Sequence, residues 1–325
     1  MTRDRLALAD KPHRRALRAS ASTVGALLVL AAGVVPAVAH GPTEYSGWGA
    51  PTAVTEVNTA AHDGCPIESP DGRKLYVAST RAGGFGKNDI WVAQRPDKRS
   101  PWGPMTNLGS AINTGDQEYC PTPLGGGRLL FVSDRAACGA TPGMTPPVGD
   151  MYVTRHRRDG TWTAPRHLGC VSDGTGPNFP GGEFGPSLRK IQGVSYLYFS
   201  STGTGTNHDI YRSRQGRDGR FGTPEPVTEL NTAGVDQMPN ISRDGTEIVF
   251  ASNRGGNMDI WTATLDRSTG RWSSPVPVAA VNTAEPETRP SFSGDGVRLY
   301  FGRGATADVY VSTRVELDDL ERNRD

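Results

Sequence analysis

The chain has 325 residues, of which 41 are Gly and 25 are Pro, while 7% are aromatic and 21% are charged. The formal net charge of +1 excludes the strongly basic balance that is typical of proteins that bind nucleic acid. A chain of this length can bury a large core, and its high Gly and Pro content favours many short strands and turns over long helices.

The first 39 residues differ in composition from the rest of the chain. Six basic residues precede an apolar run at 23–39, which ends in Ala37-Val38-Ala39, a cleavage signal for export. We predict a signal peptide at 1–39 and a secreted, extracellular or cell-wall-associated protein. An uncleaved membrane anchor is the alternative, but the run is short and is broken by Pro36. Cleavage would change the formal charge to −3 and leave no membrane span, and we expect no nucleic-acid partner.

Five copies of one pattern fill the remainder of the chain. Each copy has an acidic residue, a proline three positions later, and then a short strand, a Gly-rich turn and a β-rich strand, which is a hairpin signature. The prolines, 51 to 65 residues apart, are Pro66, Pro121, Pro186, Pro239 and Pro290. A third strand follows, as in NDIWVAQ (88–94), and a fourth begins with an aromatic residue, as in WGPMTNLG (102–109). Four antiparallel strands at this period describe a β-propeller blade.

The fifth copy ends after its third strand, and only a charged tail at 315–325 follows. The missing fourth strand is found near the start of the chain, as WGAPTAVTEVNT (48–59). We therefore predict an all-β fold, a single five-bladed β-propeller over 40–314 with four antiparallel strands per blade. The N-terminal strand joins the last blade and closes the ring, which leaves no sheet edge open for aggregation. We expect the protein to be a monomer.

The S-P-D-G turn at 69–72, the S-x-R step at 79–81 and the D-I-[WY] third strands resemble the WD40-like, PD40-type repeats of TolB and related bacterial propellers. The resemblance covers nearly all of the chain after residue 39 and implies the fold. It implies less about function, because such blades serve as binding platforms, parts of larger assemblies and enzyme scaffolds. TolB has six such blades and a separate N-terminal domain, and this chain departs from that pattern.

One position of the repeat is acidic in all five copies. It lies at the entry to the innermost strand, where five-fold geometry predicts that the side chains surround the mouth of the central channel. These residues are Asp63, Glu118, Glu183, Asp236 and Glu287. Carboxylates that lie close together repel one another, so we expect either compensating cations or raised pKa values.

Three interpretations of this acidic ring stay open. Arginines that begin loops on the same face could pair with the carboxylates as a structural clasp; they are Arg81, Arg135, Arg254 and Arg303, with Arg289 nearby. A Ca²⁺ ion, the one cofactor considered, could use oxygen ligands from Asp63, Glu118 and Asp236. Alternatively, Glu118 and Glu183 could act as the acid and base of a glycoside hydrolase, because five-bladed propellers also carry such enzymes.

The same face carries the longest loops, at 81–89, 134–150 and 169–185, and the aromatic residues Tyr119 and Phe184. We predict a binding or interaction module that uses this face for a protein or carbohydrate ligand. A carbohydrate-active enzyme is the alternative, although an acidic residue shared by all five blades favours a symmetric, non-catalytic role. The predicted ligand-binding set joins the acidic ring to Arg81, Arg135, Arg254, Tyr119 and Phe184.

Four cysteines in an exported protein favour disulfides. Cys65 and Cys120 occupy the same repeat position in adjacent blades, whereas Cys138 and Cys170 lie in loops of the second blade. We predict the bonds Cys65–Cys120 and Cys138–Cys170. The sequence has no CxxC motif, which argues against a cysteine zinc site.

Overall fold

The computed structural model describes residues 44–135, 138, 149–203 and 205–317. The predicted signal peptide, most of the loop at 134–150 and the tail from 318 onward lie outside the described residues. The described part of the chain forms five small antiparallel sheets and contains no helix that is long and apolar enough to cross a membrane.

The first strand of each sheet contacts the first strands of its two neighbours, so the five sheets are the blades of a propeller around a central channel. Blade one contains β2 (Asp63–Glu68), β3 (Lys74–Ser79), β4 (Asp89–Gln94) and β5 (Thr106–Asn107). Blade two contains β6 (Glu118–Leu124), β7 (Arg128–Ser133), β8 (Asp150–Arg155) and β9 (Arg166–His167). Blade three contains β10 (Glu183–Ile191), β11 (Val194–Ser201), β12 (Asp209–Arg214) and β13 (Glu225–Pro226).

Blade four contains β14 (Asp236–Ile241), β15 (Glu247–Ser252), β16 (Asp259–Asp266) and an outer strand in two pieces, β17 (Arg271–Trp272) and β18 (Val276–Pro277). Blade five contains β19 (Glu287–Phe292), β20 (Arg298–Arg303), β21 (Asp308–Thr313) and β1 (Thr52–Ala53). The five-bladed all-β fold predicted from the repeats is therefore confirmed.

The ring closes through the N-terminal segment, as predicted. Strand β1 pairs antiparallel with β21, with Thr52 opposite Val311. The pairing continues to a bridge between Tyr45 and Glu316, two residues beyond the predicted end of the propeller at 314. Because the first and last segments share one sheet, the outer edge of blade five is paired in the same way as those of the other blades.

Apolar side chains pack between neighbouring blades, and the aromatic residue that begins each fourth strand contributes to these layers. Trp102 of blade one packs in a cluster with Tyr300 of blade five. Trp272 of blade four contacts Tyr198 of blade three, with ring centroids 6.2 Å apart. Burying a large aromatic side chain between sheets contributes strongly to stability, which explains why an aromatic residue recurs at this position.

A buried ionic cluster joins blade one to blade five at the closing seam. Glu68 is only 4% exposed and accepts hydrogen bonds from Arg95 (2.9 Å), from Arg298 (3.2 Å) and from the Tyr300 hydroxyl (2.8 Å). Arg95 also stacks over Trp102, at 3.8 Å from the ring centroid. One carboxylate thus bridges two guanidinium groups that come from different blades, and Asp295 supplies Arg298 with a second carboxylate at 3.1 Å.

Each innermost strand contains a β-bulge at the residue before the proline, a feature that the hairpin prediction did not include. The bulge residues have positive φ; they are Cys65 (54°), Cys120 (47°), Gly185 (61°), Met238 (55°) and Arg289 (50°). A left-handed conformation costs a residue other than glycine about 1–2 kcal/mol, so four blades accept strain here. A bulge redirects a side chain, and these side chains meet one another at the channel.

Candidate functional site

The five acidic residues lie at the first position of each innermost strand and are fully buried. In four blades the carboxylate forms an ion pair with an arginine. The pairs are Asp63–Arg81 (2.5 Å), Glu118–Arg135 (3.1 Å), Asp236–Arg254 (2.5 Å) and Glu287–Arg303 (2.8 Å). Of the three interpretations of the acidic ring, the described geometry is that of a structural clasp.

The clasp of blade one shows how each of these clusters joins two blades. Asp63 accepts hydrogen bonds from the backbone N–H (2.6 Å) and the hydroxyl (2.7 Å) of Thr59, and from the Ser79 hydroxyl (2.5 Å). Arg81 donates to Asp63 and to the Val57 carbonyl (2.6 Å). Val57 and Thr59 follow the outer strand of blade five, so the clasp ties one blade to the next.

Blade three departs from this pattern. Phe179 stands where the other blades have threonine, and Ser201-Thr202-Gly203 replaces the Ser-x-Arg step. The Oε1 atom of Glu183 accepts from the Phe179 N–H (2.9 Å) and the Ser201 hydroxyl (3.0 Å), while Oε2 has no partner among the described residues. Burial, together with the nearby Asp150 carboxylate, raises the pKa of Glu183 well above its usual range. Glu183 therefore holds its proton to a higher pH than an ordinary glutamate does.

Several predicted site residues do not contribute to an open site. Arg81, Arg135 and Arg254 are used within their clasps. The proposed Ca²⁺ ligands Asp63, Glu118 and Asp236 do not form one cluster, because each carboxylate lies in a separate clasp with its own arginine. In the described part of the chain, the one cluster with metal-ligand spacing is Cys138, His167 and Cys170, and its two sulfurs are bonded to each other.

A cavity of about 390 Å³ opens at the channel mouth, on the face that carries the loops. Tyr119, Phe184 and Met238 form apolar walls, and the rings of Tyr119 and Phe184 lie 5.3 Å apart between centroids. His208 meets the face of Phe184 edge-on at 4.8 Å. The predicted residues Tyr119 and Phe184 thus line one cavity, whereas neither Glu118 nor Glu183 lines it.

Three polar side chains around this cavity have buried atoms without a partner among the described residues. These atoms are Asn88 Oδ1, Thr202 Oγ1 and His208 Nδ1. Burial lowers the pKa of His208, so its ring is neutral at pH 7 and can donate or accept a hydrogen bond. Three residues that line the apolar cavity thus carry polar atoms whose hydrogen-bonding capacity is unused among the described residues.

The position of Tyr119 is fixed by its neighbours. Its hydroxyl donates to Asp134 Oδ1 (3.3 Å), and Gln117 donates to the other oxygen of Asp134 (2.8 Å). Burial raises the pKa of Tyr119, which keeps the hydroxyl protonated. Position 149 favours glycine, because a Cβ atom there would collide with the Tyr119 hydroxyl. These contacts hold the Tyr119 side chain in the cavity wall.

The cavity is lined by positions of the repeat that vary between blades. The residues that precede the acidic position are His62, Gln117 and Gly182, and those that precede the third strand are Asn88, Gly149 and His208. The sequence prediction selected the shared acidic position and did not select these residues. These residues could have been found by comparing equivalent positions of the five copies, because positions that differ in chemistry between blades can form an asymmetric site.

The Cys138–Cys170 disulfide is confirmed, with an S–S distance of 2.07 Å. Cys65 and Cys120 are neighbours, as predicted, but their sulfurs lie 3.0 Å apart, which is longer than the roughly 2.05 Å of a disulfide. Their bond stays a prediction. Burial opposes ionisation of Cys120, but the hydrogen bond from Cys65 and the charge of Arg289 bring its pKa down to about 7.

We expect protein isolated from an oxidising compartment to contain both disulfides. A thiol-alkylating reagent added in denaturant without reductant should then label no cysteine, as read by mass spectrometry. The Cys65→Ala variant is the control and should take one label, at Cys120. Two labels on the wild-type protein, at Cys65 and Cys120, would show that the second bond is absent.

No protein-family model matches the chain, and no curated protein matches it. Solved structures are similar in fold. An α-L-arabinofuranosidase from Lactobacillus brevis is 11% identical, with a TM-score of 0.55 over 81% of this chain and 94% of the other. An α-L-arabinofuranosidase from Podospora anserina is 11% identical, with a TM-score of 0.51 over 84% and 97%. An Agrobacterium tumefaciens protein assigned as TolB is 17% identical, with a TM-score of 0.44 over 80% and 78%.

At these identities the comparisons establish the fold class alone, which is that of a five-bladed β-propeller. The assignment to PD40-type repeats therefore stays a prediction from the sequence. In this chain a set of buried clasps, one of which lacks its arginine, accompanies an asymmetric cavity at the channel mouth.

Proposed function

We propose that the protein is an exported binding module whose channel-mouth cavity holds a small organic ligand. The observation that carries the proposal is the cavity of about 390 Å³ with apolar walls and three unpartnered buried polar atoms. Ligand sites commonly measure about 300–1,000 Å³ and combine apolar walls with a few placed polar groups. Leaving a buried polar group unsatisfied costs about 1–3 kcal/mol, which a ligand that pairs with it would recover.

Export is supported by two features. The sequence of residues 1–39 has the basic, apolar and small-residue regions of a signal peptide. The Cys138–Cys170 disulfide is of the kind that persists outside the cytosol. The proposed site therefore faces an extracellular or cell-wall environment.

Binding is better supported than glycoside hydrolysis. A hydrolase needs two carboxyl groups that reach the scissile bond. Glu118 is fully buried and paired with Arg135, and Glu183 is fully buried beneath the surface of blade three. Neither of the two residues named for the enzyme alternative lines the mouth cavity.

The proposal can be tested by ligand-observed NMR with a set of sugars and small aromatic compounds. Compounds that bind the wild type should bind about tenfold more weakly to Thr202→Val, since this change removes one polar group worth about 1–1.5 kcal/mol while it keeps the shape. Phe184→Ala should weaken them further. Thr313→Val, an exposed threonine on β21, is the matched control and should have no effect.

Two results would contradict the proposal. Compounds whose binding is unchanged in Thr202→Val and Phe184→Ala would place the site elsewhere. Hydrolysis of 4-nitrophenyl glycosides by the wild type, abolished in a folded Glu183→Gln variant, would favour the enzyme instead.

A further inference from the structure

A buried arginine crosses the channel beneath the mouth cavity. Arg289 belongs to β19 of blade five, is 1% exposed, and lies at the bulge position before Pro290. Its Nη2 atom donates to the Thr122 hydroxyl of blade two, 3.2 Å away. The side chain therefore reaches from one blade to the opposite side of the ring.

This guanidinium lacks a compensating carboxylate. In the described part of the chain, Nε and Nη1 have no acceptor, and no Asp or Glu forms an ion pair with Arg289. Thr122 is neutral and uses its own proton to donate to the Pro186 carbonyl (2.6 Å). An unpaired charge in a protein interior costs several kcal/mol, so a buried guanidinium with unused donors calls for an anion.

The guanidinium is connected to the cavity by the geometry of the bulge ring. Cys65 and Met238 hold the same repeat position as Arg289 and both line the cavity. Gly185 is the bulge residue of blade three, and a Cβ atom there would collide with Nη1 of Arg289 and with the Met238 backbone. Arg289 thus lies beside Met238, a residue of the cavity lining, without lining the cavity itself. Met238 is unbranched and flexible, so it can move aside for a ligand.

Cys120, at the same bulge position in blade two, is a group near Arg289 that can carry a negative charge. The positive charge of Arg289 is one of the causes that lower the pKa of Cys120. A thiolate can neutralise Arg289 only while Cys120 is reduced. If Cys120 joins Cys65, as we predict for the exported protein, the guanidinium retains no counter-charge among the described residues.

We propose that the ligand of the mouth cavity is a small organic acid, whose carboxylate binds Arg289 while its apolar body lies between Tyr119 and Phe184. This inference rests on the function proposed above. A single guanidinium matches the single charge of a carboxylate, whereas a phosphate dianion would leave uncompensated charge in a buried site. Asn88, Thr202 and His208 would then bind polar groups on the body of the acid.

The test compares 3-phenylpropionate with 3-phenylpropionamide, which differ in charge but hardly in shape. Isothermal titration calorimetry on the oxidised wild type should give an affinity for the acid at least about tenfold higher than for the amide, as a charge-assisted hydrogen bond contributes more than a neutral one. Arg289→Met should remove this difference. Met already occupies the equivalent position in blade four, so the variant is compatible with the bulge.

Arg289→Met should also raise Tm by a few degrees, because it removes a buried charge that has no partner. The exposed Arg243→Met is the control and should keep the preference for the acid. Equal affinity of the acid and the amide for the wild type overturns the inference and leaves the proposed binding function intact, while binding of neither compound overturns both. The inference is also overturned if Arg289→Met still prefers the acid. A Tm of Arg289→Met below that of the wild type would likewise overturn it, because Arg289 would then have a structural role.

Discussion

Glu118→Gln is expected to lower the free energy of unfolding by about 3 kcal/mol or more. The carboxylate is fully buried and accepts hydrogen bonds from Arg135, Ser133 and Thr114, so the amide would leave a guanidinium without its counter-charge. Breaking a buried ion pair by removing one partner typically costs about 3–5 kcal/mol. Urea unfolding at pH 7, followed by tryptophan fluorescence, measures the loss.

Glu183→Gln is the matched control, at the same repeat position without an arginine. Burial raises the pKa of Glu183 in the folded protein, whereas in the unfolded protein the side chain ionises near the ordinary value of 4.5. Rising pH therefore favours the unfolded protein. The contribution of the neutral carboxyl is thus fully present below pH 4.5 and is lost as pH rises through the folded-state pKa, by up to about 1.4 kcal/mol per pH unit.

Glutamine cannot ionise, so Glu183→Gln should match the wild type near pH 4 and exceed its stability at pH 7. If Glu118→Gln and Glu183→Gln lower the free energy of unfolding equally at pH 7, the ion pair with Arg135 does not add to the stability of its clasp. A Glu183→Gln variant whose stability relative to the wild type does not change with pH would show that this carboxyl ionises normally.

The second large effect is expected at the seam that closes the ring. Glu68→Gln should lower the free energy of unfolding by about 3–5 kcal/mol, since it leaves the buried Arg95 without its carboxylate and Arg298 with Asp295 alone. Because this contact joins the first and last blades, its loss should lower Tm of the whole domain in one transition, as measured by differential scanning calorimetry.

Glu247→Gln provides the comparison. Glu247 pairs with Arg314 at 2.8 Å, also between blades, but its side chain is 16% exposed whereas that of Glu68 is fully buried. Water can reach the Glu247 carboxylate, and Glu247 pairs with one guanidinium where Glu68 pairs with two, so the loss there should be smaller than at Glu68. A loss at Glu247 as large as that at Glu68 would mean that burial does not set the strength of these seams.

Most of the fold was predictable because a repeat encodes the same local choices several times. The Asp-Gly turn at 71–72, the alternating strands and the aromatic residue Trp102 each recur in other copies, so the blade could be recognised even where one copy had drifted. The third strand at 308–313 lacked a neighbour, and the segment at 48–59 was a fourth strand without a blade, so we predicted that the two pair. Closure followed from counting strands, and the pairing of β1 with β21 confirms it.

The site was predicted less well, for a physical reason. The acidic position attracted attention because all copies share it, yet a feature shared by every blade is what a symmetric scaffold needs. Asp63 and Glu118 hold blades together and do not line the cavity. Of the predicted ligand-binding residues, Tyr119 and Phe184 line it, and both follow an acidic residue at a position that varies.

The sequence by itself determined the blade, the number of blades and the closure of the ring, because hydrophobic alternation and turn residues act over a few neighbouring positions. Only the tertiary structure decided which side chains meet at the channel. Asn88, Thr202 and His208 come from separate loops, and Arg289 reaches Thr122 across 167 positions of sequence. Such contacts depend on the ring geometry and on the bulge that turns each side chain inward, and neither leaves a local pattern in the chain.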